Sequence, residues 1–151
     1  MPHESRSSPR EIQNYLGRIS GPLLDRIDLH VEVPQVKFRE MSEQRPGEAS
    51  AEIRGRVIAA RGRQQERFAG TRITCNARMG TRELKKFCVI DEAAAELLKF
   101  AMSDLNLSAR ACDRILKVAR TVADLATCEQ ITSEHISEAI QYRSLDRQLW
   151  T

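Results

Sequence analysis

The sequence predicts a mainly α-helical chain: a helical bundle over about residues 81–147, preceded by a long basic helix and a helix–strand remnant of an α/β layer. Three observations predict this. Apolar residues recur at i, i+3, i+4 and i+7 through Ala94–Leu105 and again through Ala111–Leu125, the spacing of helices with one buried face. Only Ile27–Val33 alternates apolar and polar residues with the period of a half-buried strand. No stretch of comparable strength follows it, and one strand cannot make a sheet, so this one must pair with something.

Composition narrows the function classes. At 151 residues, 41% hydrophobic and 30% charged, the chain has one domain's length and the make-up of a soluble globular protein. Aromatic residues at 5% argue against a stacking platform for single-stranded nucleic acid. No apolar run nears the roughly 18 residues of a membrane span. Met1–Pro9 lacks the apolar segment of a signal peptide. Cys75, Cys88, Cys112 and Cys128 are widely spaced and the chain has three histidines, which predicts free thiols in a cytoplasmic protein and neither a metal site nor a disulfide framework.

Residues 1–8 read as a linker or a cut end. Ser8, Pro9 and Glu11 form a capping-box start for a helix carrying Ile12, Tyr15, Leu16 and Ile19, which Gly17 or Ser20-Gly21-Pro22 ends. A short helix over Leu23–Arg26 and the strand Ile27–Val33 follow, so that residues 9–34 make one unit. Gln35–Gly47 is a polar connector. A long helix is expected over Glu48–Phe68, with Ile53, Val57, Ala60 and Phe68 as a thin apolar stripe and Gly70 as its stop, so that residues 35–80 form a connector plus a basic helix. Thr81 is expected to cap a short helix through Lys86. Asp91 caps the next helix, Ser108 another, and Thr132 the last, where Ile131 and Ile136 are spaced for a hydrophobic staple. Ala111, Ile115, Val118, Ala119, Val122 and Leu125 define one buried face, with Arg110, Arg114, Lys117 and Arg120 on the other side. Residues 148–151 are a tail.

Charge is uneven. Six arginines against Glu52 and Glu66 give Ala51–Arg72 a balance of +4 within a chain of net +3. Arg54, Arg61, Arg63 and Arg67 are the candidates for meeting nucleic-acid phosphate, against the alternative of a solvated basic face. Arg26 sits among Leu23, Leu24, Ile27 and Leu29, where a charge needs a partner or a site. Arg110 lies in the first turn of its helix, which the helix dipole disfavours unless the side chain reaches an anion, Asp104 and Asp113 being the local alternatives. No G-x-x-x-x-G-K-[ST] phosphate loop occurs anywhere. Phe87-Cys-Val-Ile-Asp-Glu92 imitates a Walker B strand, yet Ala93–Leu98 continues at once in helical pattern, so Asp91 reads as a cap. His30 and His135 read as structural.

Tyr15-Leu-Gly-Arg-Ile-Ser-Gly-Pro-Leu-Leu-Asp-Arg-Ile-Asp-Leu-His-Val-Glu-Val33 resembles the end of the AAA+ module in magnesium-chelatase-like ATPases of the ComM/YifB type. Leu107-Ser-Ala-Arg-Ala111 with Lys117-Val-Ala-Arg-Thr-Val-Ala-Asp-Leu125 is similar to their sensor-2 helix, and His135–Arg143 to their final helix. The similarity runs from about Ser8 to Arg147 and implies that 81–147 is a helical AAA+ lid. It implies that Arg26 matches the arginine finger and that Arg110 matches the sensor-2 arginine facing a γ-phosphate, in cis or in trans. It implies that Glu48–Phe68 is the extra helix found before sensor 2 in related proteins. ATP and Mg²⁺ are the implied cofactors of a full-length motor. The partners it implies are the rest of the AAA+ protein, identical subunits in a hexameric ring and, for the ComM branch, DNA. With Walker A, Walker B and sensor 1 lacking, the chain is expected to be a fragment that neither hydrolyses ATP nor binds it tightly alone. The alternatives are a stand-alone basic helical module that binds nucleic acid, and a chelatase subunit driving metal insertion into porphyrin.

Overall fold

The computed structural model describes residues 8–18, 23, 26–31, 33–34, 47–105 and 107–143. Among them are six α-helices and one 3₁₀ turn: α1 Pro9–Leu16, α2 Ser50–Arg67, the turn Asn76–Arg78, α3 Thr81–Phe87, α4 Glu92–Asp104, α5 Ala109–Leu125 and α6 Ser133–Gln141. The chain is thus mainly α, as the periodicity predicted. The predicted helix over 23–26 falls where only Leu23 and Arg26 are described. The connector 35–46 and the tail 148–151 lie outside the described residues.

Short-range bonds set most helix starts. The Ser8 hydroxyl accepts from the Glu11 N–H at 3.4 Å, and Glu11 Oε2 accepts from the Ser8 N–H at 2.7 Å, a closed capping box ahead of Pro9. Asp91 Oδ1 accepts from the Ala94 N–H at 2.8 Å and Ser108 Oγ from the Ala111 N–H at 3.2 Å. Ile90, beside the Asp91 cap, makes only an isolated parallel bridge to Ile131. At α6, His135 takes the place a glutamate fills in a capping box, its Nδ1 accepting from the Thr132 N–H at 3.0 Å. Ile131 and Ile136 flank that cap and are both buried, which completes the staple. One boundary differs from expectation. Gly80, not Thr81, is the N-cap of α3, and Glu83 Oε2 reaches back to the Gly80 N–H at 2.9 Å.

Helix α5 is the axis of the bundle. It packs on α2, α3, α6 and the 3₁₀ turn, while α4 packs on α6. Phe68, Met79, Leu84, Leu98, Ile115, Ala119, Ala123, Ile131 and Ile136 form one continuous core at these crossings. The small residues Ala111, Ala119 and Ala123 let neighbouring helices approach α5 closely. Helix α2 joins this core late: residues 51–59 are all exposed, and Ala60 is the first buried one.

The predicted strand at 27–33 does not form among the described residues, and the apolar side expected to be buried is exposed. On its polar side His30 is buried, and its N–H donates to the Tyr142 carbonyl at 2.7 Å. Asp28 pairs with Arg114 of α5. Leu29, Val31 and Val33 are exposed, Val33 by 82%. A strand is defined by a ladder to a neighbour. With no sheet beside it among the described residues, this segment satisfies one backbone donor at the C-terminal end of α6 and leaves its apolar side exposed.

Candidate functional site

Arg26 stands in a turn whose N–H donates to the Leu23 carbonyl at 3.0 Å, and its side chain is exposed. Arg110 is the second residue of α5, also exposed, one turn ahead of Arg114 on the same helix face. The ion pair between Arg114 and Asp28, two residues beyond Arg26, therefore ties the segment bearing one arginine to the helix bearing the other. Arg143, 1% exposed, adds a second fastening by donating from Nη1 to the Ile27 carbonyl. Neither the Arg26 nor the Arg110 side chain has a hydrogen-bond or ion-pair partner among the described residues. The cost of a cation at the N-terminal end of α5, about 0.3–1 kcal/mol, is not offset there by a protein carboxylate.

The arginines of α2 divide along its length. Arg54 and Arg61 are exposed and Arg63 is half-buried. Arg61 faces Cys75. Burial pushes that thiol up, but hydrogen bonding from Arg61, the Arg78 and Ala77 N–H groups and Thr74 outweighs it, and the net shift is down. Arg67 is engaged in the interior. Its Nη1 donates to Asp124 Oδ2 at 2.7 Å and to Asn76 Oδ1 at 2.9 Å, and its Nη2 pairs with Asp124 Oδ1.

Asp124 is the hub of a buried network that the sequence pattern hid. Asn76 Nδ2 donates to Asp124 Oδ2 at 2.8 Å and to Thr121 Oγ1 at 3.1 Å, and the Asn76 N–H donates to Gln64 Oε1 at 3.2 Å. Arg120 was expected on the solvent side of α5 and is instead 3% exposed. Its Nε donates to Asp124 Oδ1 at 3.2 Å, while Nη1 and Nη2 each donate at 2.6 Å to the Glu129 and Cys128 carbonyls. Burial alone would push the Asp124 carboxyl up. Hydrogen bonds from Arg67 and Asn76 and the charges of Arg67 and Arg120 outweigh it and hold the carboxyl below the ordinary carboxylate range. Burial likewise lowers Arg120 despite Asp124, and it pushes the Cys88 thiol up to about 11. The i,i+4 spacing of Arg120 and Asp124 was the available signal, with Asp124 the only acid in the second half of a basic helix.

The family model described as magnesium chelatase, subunit ChlI C-terminal, matches residues 47–143, the whole of the packed bundle. The chain belongs to this magnesium-chelatase family. A second model, magnesium chelatase, subunit ChlI, matches residues 1–41, the part that carries Arg26. A Salmonella typhimurium protein called YifB is 42% identical over 148 residues, 97% of this chain. The competence protein ComM of Haemophilus influenzae is also 42% identical over 148 residues, 96% of the chain. The Mycobacterium tuberculosis protein Rv2897c is 33% identical over 131 residues. The chain spans 28% of the length of the YifB and ComM relatives and 26% of the mycobacterial one. Within the magnesium-chelatase C-terminal region, the buried Arg67–Asp124–Arg120 network joins α2 to α5 and Arg110 sits at the opposite end of α5. No group of three or more acidic, histidine or cysteine side chains placed to hold a metal ion occurs among the described residues. No described helix is long and apolar enough to cross a membrane.

Proposed function

We propose that this chain is the arginine-supplying C-terminal part of a ring-forming AAA+ ATPase, with Arg26 as the arginine finger and Arg110 as the sensor-2 arginine. The observation that supports this reading best is the state of the two side chains. Both are exposed cations without an acceptor among the described residues, and they ride on segments that Asp28–Arg114 joins. ATP with Mg²⁺ would supply the phosphoryl group and the bridging charge. The two guanidiniums would neutralise negative charge developing on the γ-phosphate oxygens, a role worth about 10³–10⁵ in rate for arginine fingers of GTPases. The chain has no phosphate loop, so these arginines complete a site whose nucleotide cradle lies elsewhere in the assembled protein, on a neighbouring identical subunit for Arg26. A hexameric ring is the assembly we expect, and DNA the substrate of the full-length motor. The name competence protein for one relative and the exposed Arg54 and Arg61, with the half-buried Arg63 beside them, support DNA over porphyrin metallation.

In the full-length protein, Arg26→Ala and Arg110→Ala are each expected to cut ATP turnover about a thousandfold. The assembly mass measured by light scattering should stay unchanged. Turnover at the unsubstituted rate in either variant removes that residue from the site. The 151-residue chain alone is expected to show no ATP hydrolysis, and turnover abolished by Arg26→Ala in that chain would defeat the reading.

A further inference from the structure

A cleft of about 450 Å³ opens at the C-terminal end of α5, between the last turn of α2, the end of α3 and the loop 128–132. Arg120, on its floor, is ten residues from Arg110, about 15 Å along the axis at 1.5 Å per residue, so this cleft is separate from the candidate nucleotide-facing arginines. Its volume falls in the range of small-ligand sites. Four cations line it, Arg63, Arg67, Lys86 and Arg120, against two carboxylates, Asp91 and Glu129.

The donor inventory of Arg67 gives the cleft its chemistry. A guanidinium carries five N–H groups. Both on Nη1 are used, on Asp124 and Asn76, and one on Nη2 goes to Asp124. That leaves Nε–H and the second Nη2–H, adjacent groups that together form a fork suited to two oxygens of one oxyanion. They have no acceptor among the described residues. The side chain is 15% exposed and held rigid by Asp124, so the fork needs no ordering on binding. Arg63 stands one turn earlier on the same face of α2, half-buried and without an ion-pair partner among the described residues. Lys86 closes the opposite wall, its Nζ 4.9 Å from the Phe87 ring centre. Of the two carboxylates, Asp91 already caps α4 through Oδ1. Counting Asp124 behind the floor, the cleft carries an excess of one positive charge.

We infer that this cleft binds a phosphate group, with the free fork of Arg67 as its fixed anchor and Arg63 and Lys86 as its two mobile contacts. The phosphate can belong to a nucleic-acid backbone or to a small phosphorylated molecule. The test titrates the 151-residue chain with inorganic phosphate and, separately, with a single-stranded oligonucleotide, following the Arg67 Nε–H resonance. At least one probe is expected to move that resonance saturably, and Arg63→Ala and Lys86→Ala should each weaken its binding about tenfold, the loss of one charge-assisted contact. Both residues contact the cleft from outside the core, so a thermal melt should be unchanged, and Arg82→Ala, on the exposed side of α3, should bind as the parent does. Saturation by phosphate but not by the oligonucleotide assigns the source to a small molecule. Tighter saturation by the oligonucleotide assigns it to a backbone. If neither probe moves the Arg67 resonance, or if the Arg63 and Lys86 variants bind both probes undiminished, the cleft is not a phosphate site.

Discussion

Thr127 has φ of 64°, a left-handed conformation that a β-branched residue adopts at a cost of about 1–2 kcal/mol. The strain sits at the end of α5, where the Cys128 N–H donates to the Ala123 carbonyl at 2.8 Å and the Thr127 N–H to the Asp124 carbonyl at 3.3 Å. These two bonds are a Schellman closure with threonine at the position glycine usually holds. The turn aims the Cys128 and Glu129 carbonyls at Arg120, so a local strain serves the two Nη groups of a buried cation whose Nε is taken by Asp124. Thr127→Gly keeps the turn and removes the strain, and its own entropic cost is smaller. We expect a gain of about 0.5–1 kcal/mol in unfolding free energy by urea titration. No change or a loss would mean that the threonine side chain compensates its own strain.

Between α2 and α5, the Arg67–Asp124–Arg120 cluster replaces apolar packing with charge. Removing the carboxylate strands two guanidiniums in a low-dielectric interior, so Asp124→Asn should destabilise by about 3–5 kcal/mol. The folded-state carboxyl of Asp124 is lowered, so its stabilisation is fully present above the ordinary carboxylate pKa near 4 and is lost as pH falls through the depressed folded value. Chemical denaturation from pH 6 downward should therefore show an acid limb that Asp124→Asn flattens. Elements of this kind were only half legible in the sequence. The caps at Ser8, Asp91 and Ser108 were readable because each closes over three residues. The Arg67–Asp124 pair spans 57 residues and needed the fold to bring it together. Arg120 was misplaced because apolar spacing alone assigns every arginine to solvent, and its acceptors are carbonyls of a turn beyond the helix. The strand at 27–33 failed for the complementary reason: alternation encodes a surface, while a strand also requires a neighbour's backbone.

Across the whole molecule, the segment bearing Arg26 is held to the bundle by three bonds whose partners lie far apart in sequence: Asp28 to Arg114, His30 to Tyr142 and Arg143 to the Ile27 carbonyl. Arg143 is buried against a carbonyl 116 residues away, so Arg143→Ala should loosen the segment more than the bundle. Amide exchange at His30 is expected to accelerate while exchange in α5 stays slow, and equal acceleration in both would show that the segment and the bundle open together. The same view of the molecule explains why the proposed roles of Arg26 and Arg110 rest on resemblance more than on pattern. Pattern marks Arg26 as a charge among leucines and Arg110 as a cation in a first helical turn, but the link between their segments depends on a contact between residues 28 and 114.

Among the described residues, helix α2 is gripped at one end only. From Ser50 to about Ala59 it stands clear of the body, while Gln64 and Arg67 are seated against α5 and the 3₁₀ turn. It is a lever with its fulcrum near Ala60: the outer arm is about 15 Å and the inner arm about 10 Å at 1.5 Å per residue. Pushing the tip sideways by about 3 Å would swing Arg67 by about 2 Å, enough to part a hydrogen bond that needs 2.7–3.2 Å. Load applied to the free turns would therefore be delivered, geared down by about a third, to the carboxylate that Arg67 and Arg120 share.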